Sequence, residues 1–327
     1  MPDNPVISAD QLRQFEQEGY LLVKGLLDPV EDLDPVIAEY TEVLEQLAGE
    51  LFADGVISST YGDLPFSERF IAVVRESGQV HQQYFDFSLP QNGVEGDTPF
   101  WAGPAVFRML SNERLLDAAE CFVGPEIYSN PVQHVRLKSP EHVNPVNEAT
   151  GAVQNGVTPW HQDTGVVLPE ADETNMLTVW FPLTASTIDH GCLKVVPRSH
   201  HGGLVRHCPG GPHGLEIPEN LHDKAGAIPM PMERGDVLFL TRLTIHSSLP
   251  NISDEVRWSF DLRYHPIGQP TGRSMFPGFI ARSRSNPASE LHDPVEWERM
   301  WREARDHLAL TDKTPFNRWA AGHPACA

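Results

Sequence analysis

Val256-Arg257-Trp258-Ser259-Phe260-Asp261-Leu262-Arg263 alternates without a break. In an extended chain Trp258, Phe260 and Leu262 share one side, and Arg257, Ser259, Asp261 and Arg263 the other. Such a period of two predicts a strand with a buried apolar face. The polar side has two readings. It is a solvated outer face, or it lines a barrel in which Arg257 clamps a carboxylate in bidentate fashion. Upstream, further strands are predicted over 127–137, 175–183, 192–197, 236–240 and 244–249, with loops rich in Gly, Pro and His between them, notably 200–212. Many short strands broken by turn residues predict a jelly roll or cupin-like barrel.

Helices flank this region. Ser8 caps a predicted helix, with Gln11 as its capping-box partner and Gly19 as its end. A strand follows at 20–25. A longer helix is predicted over 28–51, restarting at Pro35 with Asp34 as cap, and another over 113–122, closing near Gly124. Residues 294–308 place Trp297, Met300, Trp301 and Ala304 on one helical side. The fold class expected is mainly β with flanking helices.

Composition narrows the function. The chain has 327 residues and a formal net charge of −21. That field repels phosphate backbones and anionic bilayers, so neither nucleic acid nor a membrane surface is an expected partner. No apolar run is long enough to span a membrane. Residues 1–10 have no basic or apolar signal region, and Cys326 is misplaced for prenylation. Cys121, Cys192, Cys208 and Cys326 are scattered, which suits a reduced cytoplasmic protein with no disulfide framework.

Trp160-His161-Gln162-Asp163 contains a His-x-Asp. On a strand both side chains face the same way and can point into a barrel. His246 lies in a later apolar segment, Leu243-Thr244-Ile245-His246. Two imidazoles and a carboxylate on one face form the ligand set of non-haem iron(II) oxygenases, with positions left open. The competing reading of His246 is a hydrogen-bonded core histidine.

In order along the chain, these motifs resemble the phytanoyl-CoA dioxygenase family of 2-oxoglutarate-dependent oxygenases. The likeness runs over residues 8–266. It rests on Glu18-Gly19-Tyr20-Leu21-Leu22-Val23, on His161-Gln162-Asp163, on Thr178-Val179-Trp180-Phe181-Pro182-Leu183, on Gly191-Cys192-Leu193-Lys194-Val195-Val196-Pro197-Arg198-Ser199-His200, and on Gly235-Asp236 leading to His246, Ser248 and Arg257. The resemblance implies a double-stranded β-helix with iron(II) on His161, Asp163 and His246. It implies that Arg257 and Ser248 hold the distal carboxylate of 2-oxoglutarate, that Trp180 lines its pocket, and that Lys138 assists there. Dioxygen is the implied oxidant.

The implied reaction hydroxylates a small organic substrate and releases succinate and carbon dioxide. Desaturation, epimerisation or halogenation, or a non-catalytic metal-binding jelly roll, are the alternatives. The expected organisation is one oxygenase domain over 1–327: a helical part at 1–125, the jelly-roll core at 126–266, and a wrap and helix at 267–327. Arg273, Arg282 and Arg284 in that wrap could bind an anionic substrate, while Phe276 and Phe279 suggest aromatics packed on the barrel. The packed reading is favoured.

Overall fold

The computed structural model describes residues 6–146, 148, 151–211, 214–311, 318–320 and 322–326. The signal-segment reading of residues 1–5 lies outside them.

The N-terminal part supplies α1 (Ala9–Glu18), β1 (Tyr20–Val23), α2 (Asp34–Ala53), α3 (Phe66–Ser77), α4 (Gln82–Phe85), α5 (Pro104–Leu110) and α6 (Glu113–Val123). Strands β2 (Glu126–Ser129), β3 (His134–Lys138), β4 (Leu177–Pro182), β5 (Leu193–Val195), β6 (Cys208–Gly211), β7 (Gly214–Glu216), β8 (Ile228–Met230), β9 (Val237–Thr241), β10 (His246–Ser248), β11 (Arg257–Pro266) and β12 (Phe279–Ser283) follow, and α7 (Pro294–Leu310) comes after them. Ser8 and Gln11 form the expected capping box, and Gly19 closes α1 in the left-handed region.

One sheet of seven strands runs β1-β9-β4-β11-β2-β12, with β3 also paired to β11. A second runs β10-β5-β8. Leu193, Val195 and Met230 of the small sheet pack on Trp180, Leu238 and Leu240 of the large one, so the sheets face each other. This is the jelly roll read from the strand pattern. The opposite face of the large sheet carries Val179, Phe181, Phe239, Trp258, Phe260 and Leu262 into one core with Tyr40, Phe70, Leu116 and Trp297 of the helices. Trp258 stacks on Phe66 at 4.6 Å and meets the edge of Tyr40 at 5.3 Å. Removing a ring so enclosed costs about 3–5 kcal/mol. β11 is therefore buried on both faces, and its polar side is an interior wall.

Several elements differ from expectation. The predicted strand 127–137 is two strands, because Pro131 cannot donate to a ladder and Asn130 turns the chain, its side chain accepting from Val132 N and donating to Thr271 O. The predicted helix 28–51 opens as a π turn, Pro29–Leu33, capped by Asp28. Asp34 is the first residue of α2 and no cap. α3, α4, α5, β8 and the β6–β7 hairpin had no clear sequence signal. Cys208 and Cys326 form a disulfide across a separation of 118 residues, against the reduced reading. The fold sets the tail beside β6, a proximity that spacing cannot reveal. Cys121 and Cys192 are free. No helix among the described residues is long and apolar enough to cross a membrane.

Candidate metal centre

His161 and His246 sit opposite each other as an antiparallel bridge at the edge of the small sheet. Each backbone N–H donates to the other's carbonyl at 3.0 Å. Asp163 is not on a strand as expected. It opens a 3-10 turn, Asp163–Val166, after an extended Gln162. That one extended residue is enough to set both side chains on the same side. One ligand atom from each of His161, Asp163 and His246 lies within 4.8 Å of the others.

The histidine rings are oriented by carbonyls. His161 Nδ1 donates to Pro159 O at 2.8 Å, and His246 Nδ1 to Thr244 O at 2.9 Å. A carbonyl only accepts, so Nδ1 holds the proton and Nε2 presents its lone pair. Burial, and then His246, pushes the His161 imidazole down to about 3, so it is neutral. Asp163 is fully buried. Burial raises its pKa, but Arg263 beside it, then His246 and His161, outweigh this and hold the carboxyl below the ordinary range. Arg263 donates through Nε at 3.1 Å and through Nη2, and Thr178 Oγ1 donates to the other oxygen. Two imidazole nitrogens and a fixed carboxylate on one face fit an iron(II) ion with open positions.

Gln162 anchors the motif from behind. Its side chain donates to Gly203 O and Leu243 O and accepts from Val205 N, while its backbone N–H donates to His207 Nε2 at 2.9 Å. His207 lies so close to Gly165 that a Cβ there would come within 2.1 Å of the ring. From the tail, Trp319 Nε1 donates to Gly165 O at 2.7 Å and Arg318 Nη1 to Thr164 O at 3.2 Å.

His161 and His246 line a cavity of about 270 Å³ that Trp180 and Arg257 also line. Arg257 is 3% exposed, which removes the solvated-face reading. Its guanidinium lies 5.4 Å from the Trp180 ring, and burial pushes its pKa down to about 10. Arg257 Nε is buried without a hydrogen-bond partner among the described residues. A buried cation with an unsatisfied donor fits a carboxylate. Lys138 pairs across the ladder with Arg257. Lys138 and Ser248 are not on the cavity wall: Lys138 Nζ donates to Ser248 Oγ at 2.8 Å and to Leu249 O. Ser248 Oγ also accepts from Thr158 N, which leaves its own proton to donate. Burial, then Arg257, holds Lys138 well below the usual lysine value.

Glu170, Asp172 and Glu173 lie outside the ligand cluster, and Asp172 is bound by Arg318. Sequence reading passed over Arg263 and Thr178. Both were visible as same-face neighbours of Arg257 and Trp180 in alternating strands. His207 and Trp319 carried no local signal.

The family model described as phytanoyl-CoA dioxygenase matches residues 15–259. Phytanoyl-CoA dioxygenase domain-containing protein 1 of Danio rerio is 24% identical over 269 residues, covering 77% of this chain and 88% of that protein. The peroxisomal phytanoyl-CoA dioxygenase of Homo sapiens is 24% identical over 263 residues. That match covers 76% of this chain and 65% of the human enzyme, so the chain spans a little under two thirds of it. Among solved structures, the non-heme monooxygenase ThoJ superposes with a TM-score of 0.54 at 17% identity, covering 91% of this chain and 96% of that one, a likeness of fold. The chain belongs to the phytanoyl-CoA dioxygenase family, and with it to the enzymes that use iron, 2-oxoglutarate and dioxygen.

Proposed function

We propose that this enzyme hydroxylates a small organic substrate, with iron(II) held by His161, Asp163 and His246. Arg257 binds the distal carboxylate of 2-oxoglutarate, Trp180 forms the wall beside it, and Ser248 and Lys138 stand behind that wall and support the Arg257 end of the pocket. The observation that carries the reading is the clustered His161, Asp163 and His246, whose two histidines face one cavity with Arg257, the Nε of which has no hydrogen-bond partner among the described residues. When bound, iron supplies the oxidative decarboxylation of 2-oxoglutarate to succinate and carbon dioxide, coupled to oxidation of the substrate.

The chain's own residues do the rest. Arg263 and Thr178 fix the carboxylate ligand, and the two backbone carbonyls fix the imidazoles. The apolar neighbours Leu193 and Leu240 help keep water from the walls. Because Arg263 and Thr178 hold the Asp163 carboxylate in place, it would serve as a ligand to bound iron where a halogenating enzyme would need a halide, which favours oxygen insertion over halogenation. The proposal includes one oxygenase domain over the whole chain and a cytoplasmic location, where Cys208–Cys326 has to resist reduction. It also includes a small-molecule partner, with nucleic acid and membrane surfaces disfavoured by the charge of −21.

Anaerobic titration with iron(II) and 2-oxoglutarate tests the reading. A visible charge-transfer band is expected in the native enzyme and its loss in Asp163→Ala. No band in the native enzyme refutes the assignment. Chlorinated product from native enzyme in chloride would refute the role given to Asp163.

A further inference from the structure

The segment after α7 reaches back to the metal centre. Asp163 opens a short 3-10 turn, and a turn this short satisfies few of its own carbonyls. The carbonyls that follow Asp163 accept instead from side chains brought from elsewhere. Arg318 Nη1 donates to Thr164 O at 3.2 Å and to Val167 O at 3.4 Å, and Trp319 Nε1 to Gly165 O at 2.7 Å. Arg273 Nη2 donates to Val166 O at 2.9 Å. Two adjacent tail residues thus hold the backbone on both sides of Val166. Arg318 is itself fixed by Asp172, at 2.8 Å from Nη2.

The same tail is gripped by the residues that lead into β6. Arg206, His207 and Cys208 are consecutive, and each takes part of it. Arg206 Nη2 donates to Ala320 O at 2.6 Å, and its guanidinium lies 5.0 Å from the Trp319 ring. His207 stacks on Trp319 with ring centres 5.4 Å apart and planes 18° apart. Its Nε2 accepts from the backbone N–H of Gln162, the residue between the ligands His161 and Asp163. Cys208 is bonded to Cys326. Trp319 therefore touches both the backbone after Asp163 and the histidine behind Gln162. Cys208 is buried but Cys326 is half-buried, which leaves one sulfur open to a small thiol.

We propose that Trp319 is a positioning residue for the Asp163 carboxylate and that the Cys208–Cys326 disulfide keeps it in place, so that iron affinity follows the redox state of the tail. The inference rests on the reading of His161, Asp163 and His246 as iron ligands. A dithiol supplies the two electrons and two protons of reduction. The S–S bond breaks, Cys208 and Cys326 become thiols, and the dithiol closes to its own disulfide. The tail then holds the turn through non-covalent contacts alone, each of which water can replace at small net cost. Asp163 keeps Arg263 and Thr178, so the site loosens without being lost.

The test measures iron(II) affinity of the whole chain by anaerobic competition with a chelator. It compares the oxidised protein with protein reduced by a dithiol that is then removed, and a thiol count confirms that the bond has opened. The reduced form is expected to bind iron about 10- to 100-fold more weakly, the usual cost of losing supports behind a metal ligand, and reoxidation should restore the affinity. Cys326→Ser should match the reduced form and no longer respond to dithiol, which separates this bond from Cys121 and Cys192. Trp319→Phe keeps a ring beside His207 and keeps the disulfide, but removes the donor to Gly165 O. Its iron affinity should fall about three- to tenfold, the worth of one neutral hydrogen bond. A tail that serves stability alone lowers the urea midpoint of these forms and leaves iron affinity unchanged, and that result overturns the inference. So does a full set of free thiols in chain purified without reductant. Loss of affinity on reduction with none in Trp319→Phe overturns the role given to Trp319. Oxidised native chain that binds no iron fails the underlying metal reading instead.

Discussion

Arg257 and Arg263 sit on the same face of β11, both buried, and meet opposite fates. Arg263 finds Asp163 and Asp261 inside the protein, and those carboxylates hold its pKa above the usual arginine value although burial opposes it. Arg257 finds an aromatic ring, its Nε has no hydrogen-bond partner among the described residues, and burial lowers its pKa. A buried charge satisfied by its own chain builds the scaffold. One left unsatisfied by its own chain is held ready for a ligand.

Removing what both ends serve has the largest effect. His161→Ala or His246→Ala is expected to abolish iron retention and succinate formation together, since a facial triad has no spare protein ligand. Metal content after desalting checks this, and full iron occupancy in either variant breaks the assignment. Next comes the scaffold arginine. Arg263→Gln strands the Asp163 carboxylate and should destabilise the metal-free protein by about 3–5 kcal/mol in urea unfolding. Arg257→Gln strands no carboxylate, so stability should change by less than about 1 kcal/mol, as for sites outside the known destabilising classes. The reverse order would break the contrast.

The ligand arginine shows itself in binding. Arg257→Gln should weaken 2-oxoglutarate by about 2–5 kcal/mol while iron content holds, because a charge-assisted carboxylate contact is lost. Unchanged 2-oxoglutarate dependence would remove the clamp. The smallest effect is that of Thr178→Val, which takes one donor from Asp163. It should lower iron affinity about 10- to 100-fold, the usual cost of losing an outer hydrogen bond to a metal ligand. Metal competition with a chelator measures it.

The same pair of arginines marks what sequence could say. Strict alternation put Arg257 and Arg263 on one face, and a family likeness singled out Arg257. Nothing local said that Arg263 would meet Asp163, because a bond between a 3-10 turn and a strand depends on how two sheets stack. The wrap read as basic divides for the same reason: Arg282 lands on the acids of α6, and Arg273 lands in the cavity. Phe276 and Phe279 do pack into the core as expected. Periodicity reported faces reliably. The turn carrying Asp163, the knot around Gln162 and the tail contacts of Trp319 come from loops meeting loops, which have no period to read.

The centre is stitched from segments distant in the chain. Arg263 reaches Asp163 across 100 residues, Lys138 reaches Ser248 across 110, and Arg318 reaches Thr164 across 154. Contacts of such span form slowly and late, after local helices have appeared. Iron affinity is therefore a clock for folding. A refolding chain should regain helical signal well before it can capture the metal, and the delay between the two measures how long the jelly roll takes to close.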